Sequence, residues 1–289
     1  MDLVTAIPRA ELAAIVGAFG LIVGSFLNVV IYRLPRGESL SWPGSHCTRC
    51  QAPIRWFDNV PVLSYLALRG RCRHCGQSIS LRYPAVELLT GALFAVAALR
   101  YGADPMLPLW CAFAAALVAT AAIDFDHQII PDEISLGGLV LALLLVPGLQ
   151  VLSGASFGAS LTRSVLGAVL GGGLFWLVGF VHARVSVALG REFEHWPGEG
   201  EALPGPGSLD YWVWFPGVGF GDVKLLAMIG AVVGPFGVLQ TILAASIAGL
   251  LLGIGWAVVT RRWAAPFGFG PAIAVGALLV ALLPESLLR

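Results

Sequence analysis

Apolar residues gather into eight stretches along the chain, at 12–32, 84–99, 107–123, 134–152, 165–182, 223–233, 236–260 and 268–283. Several approach the ~20 residues that carry a helix across ~30 Å of hydrocarbon, whereas 223–233 is short for a crossing. The pattern predicts an all-α, polytopic membrane protein with about eight transmembrane helices. Two polar stretches interrupt it. The predicted organisation is therefore a first transmembrane helix over 1–33, a loop domain over 34–83, and a helical bundle over 84–289 broken by an insertion at about 185–216.

Composition agrees, since 57% of the residues are hydrophobic and 12% charged, more apolar surface than one soluble core can use. The net charge of zero says little, because the distribution of arginine decides the topology of such a chain. Residues 33–83 hold eight arginines against Glu38 and Asp58, which assigns this loop to the cytoplasm and the N-terminus to the other side. No basic patch suggests nucleic acid. The first stretch is read as a retained span and not a cleaved signal peptide, because its flank carries two acids beside Arg9 and no small-residue cleavage site closes it. Within it, Gly20-x-x-x-Gly24 permits close helix packing, and Ser25 and Asn28 must find partners inside the bundle.

The loop contains Cys47-Thr48-Arg49-Cys50 and Cys72-Arg73-His74-Cys75, two C-x-x-C knuckles with twenty-one residues between them. Cys47, Cys50, Cys72 and Cys75 suit tetrahedral Zn2+, and a reducing compartment disfavours the alternative of two disulfides. Four thiolates leave no open position for water, so the metal would be structural. Cys111 lies alone in an apolar stretch and is expected only to pack.

Two acids stand at the ends of apolar stretches. Asp124 directly follows Ile123, and Asp222 lies in Gly219-Phe220-Gly221-Asp222-Val223-Lys224. Alternation of the spans brings both to the cytoplasmic face. A charge within hydrocarbon costs about 2.5–3.5 kcal/mol at a helix centre, so acids at such positions call for a reason. Two carboxylates held close cannot both ionise cheaply; one keeps its proton while the other activates water, which is aspartyl protease chemistry. The plainer reading of Asp222 is a helix cap, and both roles are compatible. Asp126, Asp132 and Glu133 are expected to be solvated loop acids. Gly219 and Gly221 would let a substrate or a neighbouring helix approach, and Lys224, the chain's only lysine, is expected to reach toward the interface. In the insertion, prolines and glycines break periodicity, and Phe193, Trp196, Tyr211, Trp212, Trp214 and Phe215 are expected at headgroup level.

Several motifs in one order carry a resemblance. They are Gly24-Ser25-Phe26-Leu27-Asn28-Val29 with Arg33-Leu34-Pro35, the two knuckles, Arg82-Tyr83-Pro84 with Glu87, Asp124 through Pro131-Asp132, Gly219 to Lys224, and Phe267-Gly268-Phe269-Gly270-Pro271. The chain resembles the prepilin peptidases over nearly its whole length. The resemblance implies a bacterial inner-membrane enzyme that removes the basic leader of type IV prepilins and pseudopilins after a glycine on the cytoplasmic side. It implies Asp124 and Asp222 as the catalytic acids, and a second activity that methylates the new N-terminus with S-adenosylmethionine. No G-x-G-x-x-G after a strand supports that cofactor independently. In the family a Gly-Arg-Glu segment runs almost directly into G-x-G-D; here Gly190-Arg191-Glu192 is separated from it by the insertion. Paired acids would also serve a proton-coupled transporter, and the cysteines alone a metal sensor.

Overall fold

The computed structural model describes residues 7–191, 203–261 and 268–283. Glu192, Phe193, Trp196 and Phe267, named above, lie outside the described residues. The helices are α1 (Arg9–Arg33), α2 (Leu63–Ala67), α3 (Arg82–Tyr101), α4 (Leu107–His127), α5 (Asp132–Leu152), α6 (Phe157–Ala188), α7 (Asp210–Val213), α8 (Phe220–Thr260) and α9 (Gly270–Leu282). Among the described residues there is no strand, only isolated bridges in loops. Six helices, α1, α3, α4, α5, α6 and α8, are long and apolar enough to cross a membrane. The protein is a multi-pass membrane protein. Large apolar side chains on α1 (Ile15, Phe19, Ile22), α5 (Val140, Leu141, Leu144) and α8 (Leu243, Ile247, Leu250) stand exposed, as lipid-facing positions do.

The helices form two compact units, Met1–Ile129 with Ala281–Arg289, and Ile130–Val280. In the first, α1 lies against α3 along the small-residue line read from the sequence. A Cβ at Gly20 would come within 2.9 Å of Gly91 Cα, and one at Gly24 within 2.7 Å of Glu87 Cα. Asn28 Nδ2–H donates to Gly24 O at 3.3 Å and to Tyr83 O at 3.1 Å, so this buried amide is satisfied. Cys111 is buried in α4.

In the second unit, α6 and α8 approach until their backbones touch. A Cβ at Gly167 would lie 2.0 Å from Gly230 O, and one at Gly171 2.4 Å from Leu226 O. The α8 path breaks at Gly234 (φ 82°, ψ 178°), followed by Pro235, which separates the apolar stretches 223–233 and 236–260. The first arm, 220–233, is about 20 Å long at 1.5 Å per residue. At the break the Val233 carbonyl accepts from Arg163 Nη2 at 3.0 Å.

The stretch 165–182 underestimates α6, which starts at the Ser156 cap and continues to Ala188. Arg163 and Arg184 therefore lie in the helix and not in loops. Charge ends a hydropathy run but not a helix when the guanidinium has somewhere to go: Arg163 caps α8, and Arg184 sits 3.9 Å over the Tyr211 ring.

Candidate functional site

Residues 45–54 and 70–79 fold as two copies of one turn. In the first, the Cys47 N–H donates to Ala52 O (2.9 Å), Gln51 N–H to Cys47 O (2.9 Å) and Ile54 N–H to Ser45 O (2.8 Å). The second repeats the set as Cys72 to Gln77 (2.8 Å), Gly76 to Cys72 (2.9 Å) and Ile79 to Gly70 (2.7 Å). Each copy has a left-handed residue after its second cysteine. Gly76 (φ 69°) adopts it freely, whereas Gln51 (φ 58°) does so against a penalty of roughly 1 kcal/mol.

The turns bring the four sulfurs within 4.8 Å of one another, with Cys47 Sγ and Cys75 Sγ 3.9 Å apart. A tetrahedral ion with metal–sulfur distances of ~2.3 Å sets its sulfurs ~3.8 Å apart, so the donor set fits a metal ion. Local amides already favour thiolate at two positions. The Cys50 and Arg49 N–H groups lower Cys47 to about 7, and the Cys75 and His74 N–H groups lower Cys72. At Cys75 the Gln77 N–H pulls the same way, but burial and the neighbouring sulfurs outweigh it and hold the thiol at about 11. Arg73, inside the second knuckle, makes a bidentate pair with Asp58 at 2.7–3.0 Å, and this pair holds Asp58 below the usual carboxylate range.

Glu87 ties the loop to α3. Its Oε2 accepts from Val62 N–H at 2.7 Å, and Val62 is a β-branched residue in the left-handed region (φ 59°). Such a conformation persists only where its surroundings fix it. Among residues quoted only within a motif, Glu87 acquires a definite structural task.

Asp124 occupies the last turn of α4 and is 4% exposed. The Gln128 N–H donates to its carbonyl at 2.9 Å and closes the helix in the left-handed conformation. Asp126, two residues on, is exposed and paired with Arg82, whose Nη2 also donates to Ala122 O at 3.1 Å. Asp222 sits in the first turn of α8, its N–H donating to Gly219 O at 3.0 Å. A Cβ at Gly219 would stand 3.3 Å from Asp222 Oδ2, and one at Gly221 3.0 Å from Ile130 Cβ. Gly219 thus leaves space beside the carboxylate, while Gly221 admits the residue preceding Pro131. Lys224 does not simply reach for the interface: its Nζ is paired with Asp132 at the start of α5. Asp132 is correspondingly more than a solvated loop acid. Asp124 belongs to the first compact unit and Asp222 to the second.

The last part of the insertion folds back on α6. Trp212 stacks on Phe180 (5.4 Å between centroids) and on Trp176 (6.4 Å), and Trp176 Nε1–H donates to Trp212 O at 2.8 Å. His182 Nδ1 lies 3.2 Å from Pro216 O. Tyr211, Trp212 and Phe215, expected at headgroup level, pack around Phe180 of α6 in a cluster that leads directly into Gly217–Asp222. Their i, i+4 partners Trp176 and Phe180 were the signal available in the sequence.

Six long apolar helices, two acids at helix ends and a four-sulfur cluster in a loop define a multi-pass membrane protein with a metal-type loop. Residues 18–101 match the Bacterial Peptidase A24 N-terminal domain, and residues 111–254 match the Type IV leader peptidase family. The chain belongs to the type IV leader peptidase family. It is 35% identical to the type 4 prepilin-like proteins leader peptide-processing enzyme of Escherichia coli O78:H11, covering 90% of this chain and 89% of that protein. It is 35% identical to the prepilin leader peptidase/N-methyltransferase of Pseudomonas putida (93% and 89% covered), and 33% identical to that of Neisseria gonorrhoeae (93% and 90%). No solved structure matches.

Proposed function

We propose that the protein is a membrane aspartyl endopeptidase that removes the leader of type IV prepilins and pseudopilins after a glycine, and N-methylates the terminus it creates. The observation that carries this reading is similarity to leader peptidases along both halves of the chain, 18–101 and 111–254. The transporter alternative gains no support from these relatives.

Asp124 and Asp222 are the proposed dyad. One carboxylate takes a proton from water while the other, protonated, hydrogen-bonds the scissile carbonyl. The water oxygen adds to the carbonyl carbon, and the C–N bond breaks as the amine takes up a proton. Burial at a helix end supports Asp124 over the exposed Asp126, and the space at Gly219 supports Asp222. Lys224, paired with Asp132, would steady the first turn of α8. Cys47, Cys50, Cys72 and Cys75 would hold Zn2+, which supplies loop order and no reactive position. S-adenosylmethionine, when bound, would supply the methyl group to the new amine, which would give up a proton to solvent, and would leave as S-adenosylhomocysteine.

With the two arms of α8 counted apart and α9 included, the chain would cross the bacterial inner membrane eight times, with the cysteine loop and both acids cytoplasmic. The test is purified protein in nanodiscs, a leader-bearing prepilin peptide and mass spectrometry. Cleavage after the glycine without S-adenosylmethionine, and a one-methyl mass gain with it, are expected. An intact peptide under both conditions would overturn the reading.

A further inference from the structure

We propose that the cavity between the end of α1 and the first cysteine turn is the binding site for S-adenosylmethionine. The proposal deepens the methyltransferase reading and rests on it. The cavity measures about 750 Å³, within the ~300–1,000 Å³ typical of small-molecule sites. Its lining includes Arg33, Glu38, Trp42, His46, Gln51 and Ile54.

Arg33 is the strongest observation. Its side chain is in the last turn of α1, only 5% exposed, and its Nη1 and Nη2 donate to the carbonyls of Ser39 (2.9 Å) and Gly44 (3.3 Å). Both acceptors are neutral, and among the described residues no carboxylate pairs with this guanidinium. A buried cation without an anion is costly, and two carbonyls use only part of a five-donor fork. The cavity it lines is therefore suited to an anionic group such as a carboxylate.

The remaining lining narrows the ligand. Trp42 is 79% exposed, an indole face open to stack an aromatic ring. Glu38, exposed in the same lining, supplies a negative charge for a cation. A carboxylate, an aromatic base and a permanent cation in one molecule of this size describe S-adenosylmethionine. His46 and Gln51 belong to the first cysteine turn, so one wall of the cavity depends on the order of that turn.

The test is titration calorimetry of the full chain in nanodiscs of neutral lipid, with S-adenosylmethionine and, separately, S-adenosylhomocysteine, whose sulfur is uncharged. Trp42→Ala is expected to weaken both ligands about ten- to hundredfold, the scale of a lost base–aromatic stack. Glu38→Gln is expected to weaken S-adenosylmethionine several-fold and leave S-adenosylhomocysteine unchanged, as an exposed charge pair would. Both substitutions are at exposed positions, and an unaltered melting temperature checks the fold. Wild-type binding that neither substitution changes would overturn the site while sparing the methyltransferase reading. A wild-type protein that cleaves prepilin but binds neither ligand would overturn both. Repeating the titration with anionic lipid tests the rival anion: competitive loss of binding, with Trp42→Ala affecting lipid and not ligand, would assign Arg33 to a headgroup and end the proposal.

Discussion

The cysteine loop and the α6–α8 pair achieve order by opposite means. In the loop, 45–54 and 70–79 are short turns with little buried apolar surface; Cys50, Trp56, Leu63 and Leu66 are all exposed. Its order rests on repeated backbone hydrogen bonds, one bidentate ion pair, the Glu87 contact and four sulfurs arranged for a metal. Between α6 and α8, order comes mainly from glycines that let two backbones meet, joined by the Arg163–Val233 hydrogen bond at the break. The loop should therefore fail when its chemistry is removed and tolerate volume, whereas the helix pair should fail when volume is added and ignore chelators.

The largest expected effect is at the helix pair. Gly167→Leu forces a side chain where a Cβ alone would lie 2.0 Å from a backbone oxygen. Overpacking costs ~1–3 kcal/mol or more, so a drop in melting temperature on the order of 5–10 °C is expected. Gly173→Leu, whose Cβ meets nothing within 4 Å, is the control and should melt as wild type. Equal damage from both would remove the contrast.

Next is metal. Cys72→Ser, or extended chelation, is expected to strip the bound ion and expose 34–83 to limited proteolysis while α6 and α8 keep their hydrogen-exchange protection. Metal-free wild-type protein with a protected loop would contradict the zinc proposal.

A smaller effect is expected at Gly219→Ala, where the new methyl stands 3.3 Å from Asp222 Oδ2. Prepilin cleavage should fall roughly tenfold with melting unchanged, because small displacements at a reacting group are expensive. Full activity would show that Gly219 leaves no functional space.

The smallest is pH dependence in the loop. Arg73 depresses the Asp58 carboxyl, so the pair contributes stability above the unfolded value near 3.9 and loses it as pH falls through the lower folded value. Loop proteolysis should rise below about pH 4, and Asp58→Asn should remove that step.

Much of this was legible in the sequence, and the exceptions have physical causes. Hydropathy found the helices because lipid demands long apolar runs, yet it stopped at Arg163 and Arg184, whose charges are absorbed by a helix break and a tyrosine ring. Ligand spacing marked the cysteines, but not that the two knuckles share one hydrogen-bond pattern, because Gln51 stands where its counterpart is Gly76. Gly167-x-x-x-Gly171 repeats the spacing seen at Gly20-x-x-x-Gly24 and would have predicted the α6 contact surface; its partner on α8 could not be named without coordinates. Lys224 and Asp132 are ninety-two positions apart, and no local rule pairs them. The catalytic assignment still rests on motif and helix-end position, with geometry adding that Asp124 is buried and Asp126 exposed.

That assignment is tested most directly by prepilin cleavage measured side by side for Asp124→Asn, Asp126→Asn and Asp222→Asn in nanodiscs, with melting temperature and metal content recorded for each. Cleavage is expected to vanish in the Asp124 and Asp222 variants and to survive in Asp126→Asn, all three remaining folded and metal-loaded. An active Asp124→Asn beside a dead Asp126→Asn would move the dyad along α4, and activity in both Asp124→Asn and Asp222→Asn would contradict an aspartyl mechanism altogether.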